Sequence, residues 1–205
     1  MLTILHSKDK QATKIGRKNE GGVLVRKELK MAKLILPVTE RDHVWGPTTA
    51  PVTLVEYGDY SCVYCAQAYL IIKKIKRWLG DELRFVFRNF PMPRTNPNAR
   101  FAAEAAEAAG GQGRFWEMHN FLFENQKALD NGHLARYAKT LGLNAQRFDR
   151  EIVDSPYQIR VREDFMSGVR SGVYTTPRFF INGMRHDDSS DFDTLLDAIK
   201  RAGVS

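Results

Sequence analysis

The stretch "APVTLVEYGDYSCVYC", residues 50–65, constrains this chain more than any other. It holds both cysteines of a 205-residue protein, three positions apart. Residues 50–60 read as a strand, with Thr53, Val55 and Tyr57 on one face and Leu54 and Glu56 on the other. A helix follows from about Cys62 to Leu79. Ala68, Ile71, Ile72, Ile75 and Leu79 keep helical spacing, and Gly80 is its stop. "LRFVFRNF", 83–90, is a second strand, closed by "PMP". Strand, helix and strand with short links make a right-handed parallel βαβ unit.

A long helical stretch comes next. Asn96-Pro97 opens a helix in cap-then-proline order, and Gly110-Gly111 ends it. Further helices are expected over about 114–125, over 131–141 and over 144–153 with Asn144 as cap. A last one opens at Ser155-Pro156, with Val161, Phe165, Gly168, Val169 and Gly172 on one face. The strand signal then returns in "TTPRFFING", 175–183, with an Asn182-Gly183 turn and a short "MRHD" return. Ser190 is the expected cap of a final amphipathic helix. The order is βαβ, helical insertion, ββα. The implied division is a basic extension over 1–36, a domain built from 37–95 and 173–205, and an insertion over 96–172.

Cys62 falls at the start of the first helix, where free N–H groups and the helix dipole favour a thiolate. Cys65 lies one turn later on the same face, within disulfide reach. Two such thiols suit exchange chemistry, in which one attacks a foreign disulfide and the other resolves the mixed intermediate. A zinc half-site has the same spacing but needs about two more ligands. No second cysteine pair exists, and His6, His43, His119, His133 and His186 are scattered. An inert buried pair is the blander alternative. Glu56, an acid in an apolar strand, is expected to be partly buried with a raised pKa, placed to take the proton of Cys65.

The element order, "EYGDYSCVYC" and "GVYTTPRFFING" resemble the DsbA-like thiol–disulfide oxidoreductases, over residues 37–203. The resemblance implies a thioredoxin fold, an α/β architecture (βαβ … ββα) with an all-helical insertion between its halves. It implies Cys62 as the attacking and Cys65 as the resolving thiol, and a buried carboxylate at Glu56. It places Thr176-Pro177 in a cis-proline loop beside the cysteines, with Thr176 pairing with substrate backbone as an added strand. Val63 and Tyr64 complete the substrate-binding surface. They also lack the proline and histidine of strongly oxidising members.

The expected partners are disulfide-containing proteins or small thiols, with glutathione or a thioredoxin-type reductant as electron source. No bound cofactor and no metal are expected. Apolar runs such as "YLII" fall far short of a membrane span. No secretory signal is visible, so a cytoplasmic enzyme that reduces, forms or isomerises disulfides is expected, with Val63 and Tyr64 pointing to reductase or isomerase behaviour. The net charge of +7 is concentrated in residues 1–33, where nine Lys/Arg oppose three Asp/Glu, giving 9 − 3 = +6. Without aromatic interleaving this reads as a solvated arm, with no nucleic-acid partner expected. Met31, followed by "AKLILPV", reads as an alternative start that makes the first 30 residues optional. Two other functions use the same scaffold: a glutathione-dependent transferase or isomerase, for which Cys65 is dispensable, and a non-enzymatic redox sensor. Because Val63 and Tyr64 supply no positive charge, the helix dipole, with somewhat more from backbone N–H donors, leaves the Cys62 pKa nearer the thioredoxin end of the family's range.

Overall fold

The computed structural model describes residues 32–92 and 96–204. The basic arm falls almost wholly outside the described residues. The strands are β1 (His43–Trp45), β2 (Val52–Gly58), β3 (Leu83–Asn89), β4 (Arg178–Ile181) and β5 (Met184–Arg185). The helices are α1 (Val63–Leu79), α2 (Ala99–Gly110), α3 (Phe115–Glu124), α4 (Asn131–Thr140), α5 (Ala145–Asp154), α6 (Gln158–Arg170) and α7 (Phe192–Arg201). The five strands form one mixed sheet in the order β1-β3-β2-β4-β5. β2 runs parallel to β3 and antiparallel to β4. A thioredoxin fold results, with helices α2 to α6 inserted between β3 and β4.

Alternation along β2 divides the core. Leu54 joins Phe85 and Phe87 of β3 against Cys65, Ile72 and Ile75 of α1 and the aromatic residues of α3. Val55 and Tyr57 face the other way, packing with Val86, Phe90, Val173 and Phe180, with Phe165 of α6 against them. Period-2 strands buried on both faces need helices on both sides, which α1 and α6 supply. Arg88 crosses the second face fully desolvated. It reaches Asp42 through Nε and Nη2, the Leu36 and Pro37 carbonyls, and the Tyr57 hydroxyl. With every donor near an acceptor, its charge is compensated in place.

Several expectations shift by a few residues. Cys62 stands outside α1 as its N-cap, with extended φ −82° and ψ 122°. α2 is capped by Asn98, because the Asn96 side chain accepts the Asn98 N–H and holds that turn. Asp191, not Ser190, caps α7 by accepting the Thr194 N–H. β1 is too short to announce itself by alternation and exists by antiparallel pairing with β3. Residues at the end of the expected extension belong to the body: Leu34 N–H donates to the Gly183 carbonyl and Ile35 N–H to Ser171 Oγ. Trp78, a residue type usually well buried, is exposed. Trp45 and Trp116 do pack, placing their rings 4.3 and 4.8 Å from Lys76 Nζ.

Gly168 lets α6 approach the sheet. A Cβ there would lie 2.7 Å from the Phe90 ring and 3.0 Å from Tyr57. Gly168→Ala is expected to destabilise the fold by about 1–3 kcal/mol through overpacking, read as a lower urea midpoint at unchanged m-value.

Candidate functional site

β2 ends at Gly58, and the chain turns through Asp59, Tyr60 and Ser61 into Cys62. Asp59 is the strut of this turn. Its Oδ1 accepts the Ser61 N–H at 2.8 Å and the Ser61 hydroxyl at 2.7 Å, an Asx-type turn. Its Oδ2 accepts the Met92 N–H at 2.7 Å, tying the turn to the segment after β3. Its own N–H points at Cys65 Sγ, 3.4 Å away. The Tyr60 hydroxyl meets Nδ1 of His119, a histidine enclosed by Phe87, Trp116 and Phe123 and held neutral by that burial.

The two cysteines are free thiols in unequal settings. Cys62 is half-buried and Cys65 buried. Cys62 Sγ lies 3.4 Å from the Thr176 carbonyl, to which its S–H donates when the thiol is protonated. The Thr176–Pro177 peptide is cis. The Cys62 thiol is pulled down to about 5, first by a hydrogen bond from Cys65, then by the Thr176 side chain and the backbone N–H groups of Cys65 and Tyr64. Burial pushes Cys65 well up, reinforced by its bond to Cys62 and by the negative charges of Glu56 and Cys62. The largest influence on Cys62 is the Cys65 hydrogen bond. The Cys62 value falls between the family anchors of about 7 for thioredoxin and about 3.5 for DsbA, lower than the dipole argument expects.

Glu56 is 2% exposed, on the α1 side of β2, and its Oε1 has no hydrogen-bond partner among the described residues. Desolvation, then the nearby Cys62 charge, raises its pKa to about 8. Val63 and Tyr64, in the first turn of α1, are 64% and 69% exposed, and Tyr174, two residues before Thr176, is 76% exposed. The structure therefore gathers Glu56, Cys62, Val63, Tyr64, Cys65, Thr176 and Pro177 at one end of the sheet. Sequence reasoning gave no weight to Gln126, whose Nε2 donates to the Cys62 carbonyl at 2.7 Å. No motif marks it, because the contact spans 64 residues. Among the described residues no group of three His, Cys, Asp or Glu could hold a metal ion.

A family model described as thioredoxin matches residues 38–201. The chain belongs to the thioredoxin family. Its relatives include the Na(+)/H(+) antiporter NhaA 1 of Salinispora arenicola, 44% identical over 172 residues, which are 82% of this chain and 26% of that protein. The Na(+)/H(+) antiporter NhaA of Herminiimonas arsenicoxydans is 43% identical over 79% of this chain and 26% of its own length. The chain thus spans about a quarter of these curated relatives, and among its described residues no helix is long and apolar enough to cross a membrane. The fold is also that of oxidised BdbD from Bacillus subtilis, with TM-score 0.73 and 25% identity over 81% of this chain and 95% of that one. A thioredoxin-like oxidoreductase from Silicibacter pomeroyi gives 0.71 and 25% over 80% and 93%. Wolbachia pipientis α-DsbA1 shares the fold at 0.70 and 20% identity, over 82% and 94%. Within its family the chain has the DsbA-like fold, with the helical insertion of that type.

The buried carboxyl sets a pH dependence. A folded pKa raised from 4.5 to about 8 means the folded state holds the proton more tightly than the unfolded chain. The stability tied to Glu56 is complete below about pH 4.5 and is lost as pH rises toward 8. Near pH 7 the loss is about 3 kcal/mol. Glu56→Gln is expected to raise the melting temperature of the reduced protein at pH 7.5, with the gain fading toward pH 4.5.

Proposed function

We propose that the protein is a cytoplasmic protein disulfide oxidoreductase in which Cys62 and Cys65 reduce or isomerise disulfides in protein or small-thiol partners. The reading is carried by the opposite displacement of two thiols one helical turn apart, Cys62 down and Cys65 up. The Cys62 thiolate attacks one sulfur of a partner disulfide, forming a mixed disulfide and releasing the other sulfur as a thiolate. Cys65 then loses its proton to Glu56 and attacks Cys62 Sγ. The Cys62–Cys65 disulfide closes, the second partner thiolate leaves, and two electrons have passed to the partner.

The order of these steps follows from electrostatics. While Cys62 is a thiolate, its charge helps keep the Glu56 proton on and raises Cys65. Once Cys62 is bonded to the partner that charge is gone, so Glu56 ionises more readily and Cys65 is freed to attack. A carboxylate whose pKa is raised is also a better-matched base for a thiol. In isomerisation the partner's own second thiol resolves the intermediate instead, and Cys65 serves as the escape route. Exposed Val63 and Tyr64 meet the apolar flanks of the substrate, and the Thr176 backbone pairs with its chain. Glutathione or a thioredoxin-type dithiol restores the reduced pair.

Because a lowered Cys62 pKa favours the reduced pair, the couple is expected between the thioredoxin potential of about −270 mV and the DsbA potential of about −120 mV. A couple more oxidising than the cytosolic glutathione pool stands reduced there, with its thiolate available. A titration in glutathione buffers is expected to return a midpoint in that range, and a value near that of DsbA would point to an oxidase.

Cys62→Ser is expected to abolish exchange, and Cys65→Ser to accumulate mixed disulfides with partners, visible on non-reducing gels. Full multiple-turnover activity of Cys65→Ser on protein substrates would favour a glutathione-dependent transferase, which needs one thiol only.

A further inference from the structure

The rotation ψ of Cys62 settles two directions at once. It aims the Cys62 carbonyl, and it sets where the first turn of α1 lies relative to the Cβ–Sγ bond, since the intervening peptide is planar. The N–H groups of Tyr64 and Cys65 in that turn are donors that favour the thiolate. Any freedom in this rotation would blur their aim. A half-capped helix start has little to restrain it, and here no side-chain oxygen caps α1.

Part of the restraint comes from outside the thioredoxin halves. The Cys62 carbonyl accepts two hydrogen bonds, one from the Ala66 N–H at 3.1 Å within the helix and one from Gln126 Nε2 at 2.7 Å. Gln126 stands on a braced turn. Asn125 N–H and Nδ2 both donate to the Phe121 carbonyl, the Ala128 N–H closes on the Asn125 carbonyl, and the Tyr137 hydroxyl of α4 donates to the Ala128 carbonyl at 2.8 Å. The amide therefore meets the carbonyl from a platform anchored on two helices. A donor on a carbonyl also polarises its peptide unit, strengthening the N–H on the other side.

We infer that Gln126 is a positioning residue for the attacking thiol, holding the Cys62 carbonyl so that the first turn of α1 keeps its N–H groups on the sulfur. It acts through Cys62 and need not touch substrate. The helical insertion thereby becomes part of the nucleophile's electrostatics as well as its surroundings. The inference rests on the reading of Cys62 as the attacking thiol.

The test is the pH profile of Cys62 alkylation by iodoacetamide, resolved by peptide mass spectrometry, on the reduced full chain and on Gln126→Leu and Gln126→Glu. The native half-point is expected at about 5. Gln126→Leu keeps the bulk and loses the donor, and should move the half-point up by roughly half a pH unit. Gln126→Glu keeps the shape but sets a negative oxygen against the carbonyl, and should move it further up. Melting temperatures measured in parallel separate this from loosening of the fold. If both variants melt lower yet titrate like the native protein, or if Gln126→Glu titrates at or below it, Gln126 only ties the insertion down and the inference fails. A native half-point near the ordinary thiol value of about 8.5 would overturn the reading of Cys62 itself.

Discussion

A helix begins with N–H groups that its own backbone cannot satisfy. In this protein the sulfur of Cys62 stands where a capping oxygen would be, and no side-chain oxygen competes for the position. A thiolate is a stronger acceptor than a thiol, so the unsatisfied donors favour ionisation. The turn before α1, with Asp59 bonded on one side to Ser61 and on the other to Met92, exists to deliver the sulfur to that place. The cis-peptide loop opposite, with its Thr176 carbonyl 3.4 Å from the sulfur, bounds one side of the site, and Cys62 stays partly exposed.

The same arrangement divides the labour of two chemically identical side chains. Cys65 is one turn further along α1 and inside the core, where desolvation opposes a charge. Its proton is worth most as a hydrogen bond to Cys62. Stabilising one thiolate and suppressing the other are thus a single interaction seen from its two ends. Glu56 adds a desolvated carboxyl beneath the pair, which burial keeps protonated up to about pH 8, whose Oε1 is unpartnered and which the fold tolerates at some expense in stability. Groups that weaken a fold in this way mark places where chemistry outranks packing.

Much of the architecture was legible in the sequence. β2, α1 and β3 announce themselves by period-2 and helical spacing, and the helices of the insertion by their caps and glycines. Asn144 does accept the Arg147 N–H, as a cap should. Legibility failed where a local signal had a near neighbour of equal merit. Ser190 and Asp191 both qualify as caps, and the side-chain bond to the Thr194 N–H decides for Asp191. It failed also where an element is made by pairing alone, as for β1, and where burial depends on distant chain, as for the exposed Trp78.

The sequence by itself determined that two thiols share one face at the head of a helix, because the period of an α-helix and the position of a strand end are local properties. It also marked Glu56 as an acid in an apolar strand. The degree to which Cys62 favours its thiolate is local in its largest part, the hydrogen bond from Cys65, and tertiary structure decided the rest. That remainder depends on the angle and distance of groups far apart in the chain: the Thr176 side chain, 114 residues away, and, through the Cys62 carbonyl, the Gln126 amide, 64 residues away. Hydrogen bonds have direction and short reach, so their sum at one sulfur exists only once the sheet and the insertion have closed around it.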